Sequence, residues 1–237
     1  MTSTSLVVVR GADAVGYVDS QCTQDLGDLA VGSTLTTLVL DPRGTLVALA
    51  LVAHAAPDEV SLEVPADTAP ALLARLERFA IRTDATFDLV AGPPRAWYGD
   101  ELGRITSGIP GTAELARDLV AHALEDPVRS ACVSFTKGCY PGQELVARMQ
   151  SRGATPPYVL RRCLLDVDAA AGTPVGSEDK EGAITSVALD AESNRRWAMC
   201  VLHRTEASSA QPVRSDPAGV ALIAGESSLR FGRADTT

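Results

Sequence analysis

The sequence predicts an α+β protein that ends in a small antiparallel β-barrel, and three observations carry this. Up to Gly92, short β-rich segments alternate with helical ones. Two β-rich stretches flank Asp41-Pro42-Arg43-Gly44, which has the composition of a hairpin turn. After Gly153-Ala154-Thr155-Pro156-Pro157, strand-like segments follow one another, separated by turns rich in Gly, Pro, Asp and Ser. Two prolines exclude a helix there and mark a connector. The expected division is an α+β region over residues 1–153 and a barrel domain over residues 158–237.

In chain order, Leu6-Val7-Val8-Val9 reads as a buried strand that turns at Arg10-Gly11. Asp13 is a candidate N-cap for a helix to about Ser20. Residues 34–40 and 45–53 form the hairpin, and residues 60–64 another strand. Residues 66–80 give a helix with Leu72, Leu73, Leu76 and Phe79 on one face and Arg75, Glu77 and Arg78 outward. Residues 86–90 return as a strand before Gly92-Pro93-Pro94. The stretch 114–124 looks helical. Beyond the connector, 159–167, 182–189, 196–203 and 220–224 read as strands, Glu178 to Glu181 as a solvated turn, and the tail from Arg233 as disordered.

The chain has 237 residues, 46% hydrophobic and 22% charged, an ordinary globular mixture with room for a substantial core. No apolar run approaches membrane-spanning length, and the first residues lack a basic leader, so a cytoplasmic protein without membrane contact is expected. The net charge of −9 and the lack of a basic stripe argue against direct nucleic-acid binding. Arg161-Arg162 and Arg195-Arg196 read as solvated strand edges. The five cysteines, at 22, 132, 139, 163 and 200, are odd in number and irregularly spaced, which favours neither a disulfide framework nor a four-thiolate metal site. Cys22, Cys163 and Cys200 read as core, whereas Cys132 is close enough in sequence to approach Cys139 across a turn. No metal site is expected, and His54, His122 and His203 read as structural.

The chemistry concentrates in Lys137-Gly138-Cys139-Tyr140-Pro141-Gly142-Gln143-Glu144. Tyr140 to Gln143 fits a type II turn, with Pro141 presetting φ and Gly142 taking the positive φ. A helix follows, with Leu145, Val146 and Met149 on one side and Glu144 paired to Arg148, and it stops at Arg152-Gly153. Cys139 therefore sits ahead of a helix N-terminus with Lys137 two residues away, and both features favour a thiolate. Gly138 and Gly142 leave the backbone beside the sulfur open. The competing reading makes Cys139 a small buried hydrophobe.

This octapeptide, followed by Val146-Ala147-Arg148 and Arg152-Gly153, resembles the signature of the YgfZ family, folate-binding relatives of the glycine-cleavage T-protein (aminomethyltransferase) that assist iron–sulfur proteins. The resemblance extends to Gly11-Ala12-Asp13-Ala14, to Thr23-Gln24-Asp25, where the family's Asn is Gln24, to Arg104-Ile105 with Gly108-Ile109-Pro110, and to Gly182-Ala183-Ile184-Thr185-Ser186. It implies a T-protein-like fold with paired ferredoxin-like units. It also implies a tetrahydrofolate site to which Asp25, Arg104, Tyr140, Gln143 and Glu144 contribute. For Arg104, a surface ion pair with Asp100 or Glu101 is the alternative. Cys139 and Lys137 would be the reacting pair, and Gly138, Gly142 and Arg148 would shape the loop. An iron–sulfur cluster would touch Cys139 only transiently, and the implied partners are iron–sulfur client enzymes such as radical tRNA-modifying enzymes. A folate-dependent aminomethyltransferase is the second reading. Against it, nothing from Thr45 to Pro57 carries the carboxylate that aminomethyl transfer places beside its folate. A metal-binding or structural module, with the octapeptide merely a tight turn, is the third.

Overall fold

The computed structural model describes residues 3–94, 96–165, 168–176, 180–207 and 222–224. The first sheet is assembled from β1 (Thr4–Arg10), β2 (Thr34–Leu40), β3 (Leu46–Ala56), β4 (Glu59–Pro65) and β5 (Thr86–Ala91), in the order β2-β3-β4-β1-β5 and antiparallel throughout. Two helices, α1 (Ala14–Gln21) and α2 (Ala69–Phe79), cover one face. The order β1-α1-β3-β4-α2-β5 with spatial order β5-β1-β4-β3 is a ferredoxin-like unit, and β2 extends its edge. Val7, Val9, Val60, Leu62 and Val64 alternate inward along β1 and β4 and meet Leu72 and Leu76 of α2. The β-branched, period-two pattern of these strands is what lets one face bury completely.

A helical segment follows: α3 (Glu101–Thr106), α4 (Thr112–Leu115), a 3-10 turn (Ala121–Ala123), α5 (Asp126–Cys132) and α6 (Gln143–Arg152). The second sheet comprises β6 (Tyr158–Leu165), β7 (Pro174–Val175), β8 (Gly182–Asp190), β9 (Arg195–His203) and, after the short α7 (Arg204–Ala207), β10 (Leu222–Ala224). Its order is β10-β6-β9-β8-β7. A second core joins the sheets: Leu38, Leu40 and Leu49 pack with Ile105, Ile109, Val128, Tyr140 and Val146, and with Leu160, Met199 and Val201.

Four sequence expectations change. Arg75 faces inward and is buried: its Nε donates to Leu40 O at 3.0 Å, its Nη1 to Gln21 Oε1 at 3.1 Å, and its guanidinium lies 4.0 Å from the Phe79 ring centroid. Residues 114–124 are not one helix. Asp118 takes φ 52°, Leu46 N donates to Leu119 O at 2.7 Å, and Val120 bridges Thr45, so pairing with the hairpin breaks the helix after α4. Arg162 is buried against Glu125, with Nε to Oε1 at 3.0 Å and Nη2 to Oε2 at 2.5 Å. Arg195 and Arg196 stay at the surface, where Arg196 bonds Asp168, but β6 and β9 lie inside the second sheet and are not its edges. The helices α3 and α5 had no counterpart in the sequence reading. Within the expected elements, residues 166–167, 178–179 and 220–221, together with the tail from Arg233, lie outside the described residues. No helix among the described residues is long and apolar enough to cross a membrane.

Candidate functional site

Three segments meet around the octapeptide: the turn after α1, the β2–β3 hairpin tip and the loop from α5 to α6. Thr23 is the hinge of this meeting. Its buried hydroxyl donates to Cys132 O at 2.6 Å and accepts from Leu38 N at 3.0 Å, while Ser134 N donates to Thr23 O at 2.9 Å. Gln24 Nε2 reaches Ala131 O at 3.0 Å, and Gln24 Oε1 accepts from Asp25 N at 3.0 Å. The Thr23-Gln24-Asp25 triplet thus latches the α5 end to β2. Asp25 itself is exposed, and its carboxylate accepts from Gly27 N.

The loop is pinned on both sides of its sulfur. Lys137 has a side chain only 2% exposed, and its ammonium donates to Asp19 Oδ1 at 2.8 Å, Asp19 O at 2.7 Å, Gln24 O at 2.8 Å and Cys22 O at 3.2 Å. Burying an ammonium is costly unless partners replace its water, and here four oxygens do so. Tyr140 is buried on the other side, in the core shared by the sheets, with Lys137 Nζ 5.9 Å from its ring centroid. Burial pushes its hydroxyl pKa up to about 12. Between these anchors Gly138 and Cys139 are exposed, and a Cβ at Gly138 would meet open space.

The turn that follows has the expected form. Gln143 N donates to Tyr140 O at 3.2 Å, and Gly142 takes φ 83° as the N-cap of α6. A Cβ on Gly142 would lie 2.8 Å from both Asp41 O and Gly44 Cα. The hairpin tip therefore lies directly against the start of α6. Asp41 holds that tip, with Oδ1 accepting from Arg43 N and Thr45 N. Val146 and Met149 of α6 are buried, Gln143 is half-buried, and the Glu144–Arg148 ion pair is exposed.

Cys139 is the exposed cysteine; Cys22, Cys132, Cys163 and Cys200 are buried, and all five are free thiols. Burial raises the Cys22 thiol to about 11, with Lys137 pulling the other way, and the Cys132 thiol to about 12. Cys200 is also raised, first by its hydrogen bond with Cys163 and then by burial. Among the described residues no group of three or more His, Cys, Asp or Glu could hold a metal ion.

Arg104 stands apart from the loop and is buried. Its five N–H groups are all taken: Nε by Glu101 Oε2, Nη1 by Ile109 O and Glu114 Oε2, and Nη2 by Glu101 Oε1 and Ser186 Oγ. It lines a cavity of about 180 Å3 with Glu101, Thr112, Glu114 and Ser186. Cys139 lines neither this cavity nor the open one at Asp13, Tyr17 and Thr83. Sequence reasoning missed Asp19, the carboxylate that receives Lys137 from 118 residues away. Its one signal was its position just ahead of the Thr23-Gln24-Asp25 triplet.

No protein-family model matches the chain. An uncharacterised protein of Haemophilus influenzae is 27% identical over 233 residues, covering 78% of this chain and 82% of that one. The crystal structure of the glycine cleavage system aminomethyltransferase T from Bartonella henselae matches with a TM-score of 0.63 at 15% identity, over 93% of this chain and 82% of its own. At that identity the likeness is one of fold: the chain has the α+β fold of a T-protein, with two sheets, the second curling into a half-barrel near the C-terminus.

Proposed function

We propose that this chain is a tetrahydrofolate-binding accessory protein that assists the assembly or repair of iron–sulfur enzymes, tRNA-modifying ones included, through the Cys139 thiol. The observation that carries the reading is the contrast among the cysteines: four are buried, and the fifth stands exposed between a caged lysine and a buried tyrosine. A core cysteine needs no such mounting; a thiol that must meet a partner does. The resemblance of the Lys-Gly-Cys-Tyr-Pro-Gly-Gln-Glu sequence supports the same reading, and the T-protein fold is compatible with its folate part.

A pteridine edge asks for paired donors and acceptors, and the residues assigned to it carry them. The Gln143 amide offers both and makes no hydrogen bond to the protein among the described residues, and Glu144 and Asp25 add exposed carboxylates. Arg104 is left out of this contact set, because no N–H remains free on it, and its role is to tie α3 to α4 and β8. Tetrahydrofolate, when bound, supplies a carrier for one-carbon units. Gln143 and Glu144 orient it, and Cys139 meets the client's iron or sulfur.

Activities of iron–sulfur enzymes in cells lacking this chain test the proposal. Restoration by the native chain and not by Cys139→Ser is expected; equal restoration by both would overturn it. The shared fold also keeps an aminomethyltransferase reading open. Incubation with an aminomethyl-lipoyl carrier protein and tetrahydrofolate discriminates the two, since methylene-tetrahydrofolate would form under that reading alone. The apolar side chains of β3 argue against it, with His54 as the one polar group from Leu46 to Ala56.

A further inference from the structure

Resting on that functional reading, we infer that Asp19 and the carbonyls of Cys22 and Gln24 form a cation cage whose role is to position Cys139, with Lys137 as its tethered occupant. Lys137 is then a positioning residue.

The geometry favours a cage over a surface ion pair in three ways. The ammonium is almost fully enclosed, and it has four oxygen neighbours for three protons, three of them backbone carbonyls fixed by the fold. The cage walls are held by bonds that do not involve Lys137. Asp19 Oδ1 also accepts from Leu26 N at 2.8 Å, and Cys22 bridges Val39, so the turn is held to α1 and β2 independently of the loop. The Lys137 charge also acts on Cys22, within the cage wall, where it opposes the effect of burial. Gly138, next in the chain, is open to solvent on its side-chain face. Without the lysine anchor, the exposed Gly138-Cys139 pair would be held on that side by the position-137 N–H to Ser134 Oγ bond at 3.2 Å and on the other by Tyr140, and Cys22 O would lose its ammonium donor.

A compact point charge with three rotatable donors suits such a cage, whereas a planar guanidinium does not. The cage thus reads Lys137 as a primary alkylammonium, and an untethered one of the right length should replace it. Removing Lys137 as far as its Cβ leaves space for propylammonium.

The test uses a nitroxide label on Cys139, which as the exposed thiol takes the label without disturbing the four buried ones. In the full chain the expected spectrum is immobilised. In Lys137→Ala, checked as folded by near-ultraviolet circular dichroism, the immobilised component is lost, and propylammonium chloride restores it while sodium chloride at equal ionic strength does not. Asp19→Asn, which keeps the carbonyls and removes the charge, reproduces the loss in part and carries the test should Lys137→Ala not fold. An immobilised label in a folded Lys137→Ala chain, or restoration by sodium chloride alone, overturns the cage. A Cys139→Ser chain that still supports iron–sulfur enzymes would overturn the functional reading and leave the cage standing.

Discussion

Arg162 carries a full charge into the protein, and nothing in Tyr-Val-Leu-Arg-Arg-Cys announces it. A strand alternates faces, so two adjacent arginines take opposite sides: Arg162 meets Glu125, 37 residues earlier, and Arg161 is half-buried with Nη1 donating to Ala123 O at 3.4 Å. With the Arg162 side chain 6% exposed and that of Glu125 19%, removal of the guanidinium leaves the Glu125 carboxylate largely buried with the residue-162 N–H at 2.9 Å in place of its ion pair. Arg162→Met should cost about 3–5 kcal/mol of unfolding free energy in urea, and a cost below about 1 kcal/mol would mean that Glu125 finds water instead. Glu63 offers a test by pH. Burial raises its carboxyl above the ordinary value of 4.5, so the unfolded chain ionises it first. Its contribution is therefore most favourable below about pH 4.5 and is lost as the pH rises through the folded value. Glu63→Gln should flatten that part of the stability profile, gaining on the native chain as pH increases. A parallel offset at all pH values would contradict the assignment. Lys137 belongs with these charges: its sequence neighbour Cys139 suggested one partner, and the fold supplied Asp19.

At the level of elements, the turn into α6 was legible because its chemistry is local. Pro141 and Gly142 prescribe the turn, and Gly153 with φ 57° closes the helix where the sequence places its stop. The two glycines also make a controlled comparison. Both adopt positive φ, yet a Cβ on Gly153 meets nothing within 4 Å, whereas on Gly142 it meets the backbone of Asp41 and Gly44 at 2.8 Å. Gly153→Ala should cost about 1 kcal/mol, the conformational term alone. Gly142→Ala should cost more, because the conformational strain of about 1–3 kcal/mol is joined by displacement of the hairpin tip. Equal midpoints for the two variants in urea would show that the tip is not held against α6. The segment 114–124 was misread for the opposite reason. Its helical composition is real, but Leu119 and Val120 are claimed by the start of β3, a partner that periodicity cannot register. The short helices α3 and α5 fall below the length at which a period of 3.6 residues leaves a readable stripe.

Over the whole molecule, the alternation of strands and helices to Gly92 and the run of strands after Pro157 were enough to predict two sheets and their α+β setting. They did not reveal the shared core, in which Leu160, Met199 and Val201 of the second sheet pack with Leu38, Leu40 and Tyr140. Contacts between residues so distant in sequence leave no periodic trace. The division at the Pro156-Pro157 connector is thus proposed as a boundary between chain segments that share a core. That core is also what buries Tyr140 and so fixes one end of the Cys139 loop, while the 19–24 turn fixes the other. Presentation of one thiol out of five follows from the packing of the entire chain. Brief treatment of the native protein with iodoacetamide, followed by peptide mass spectrometry, measures this directly. The account predicts carbamidomethylation at Cys139, with Cys22, Cys132, Cys163 and Cys200 modified only after denaturation. Protection of Cys139, or modification of a second cysteine at a comparable rate in the folded protein, would contradict it.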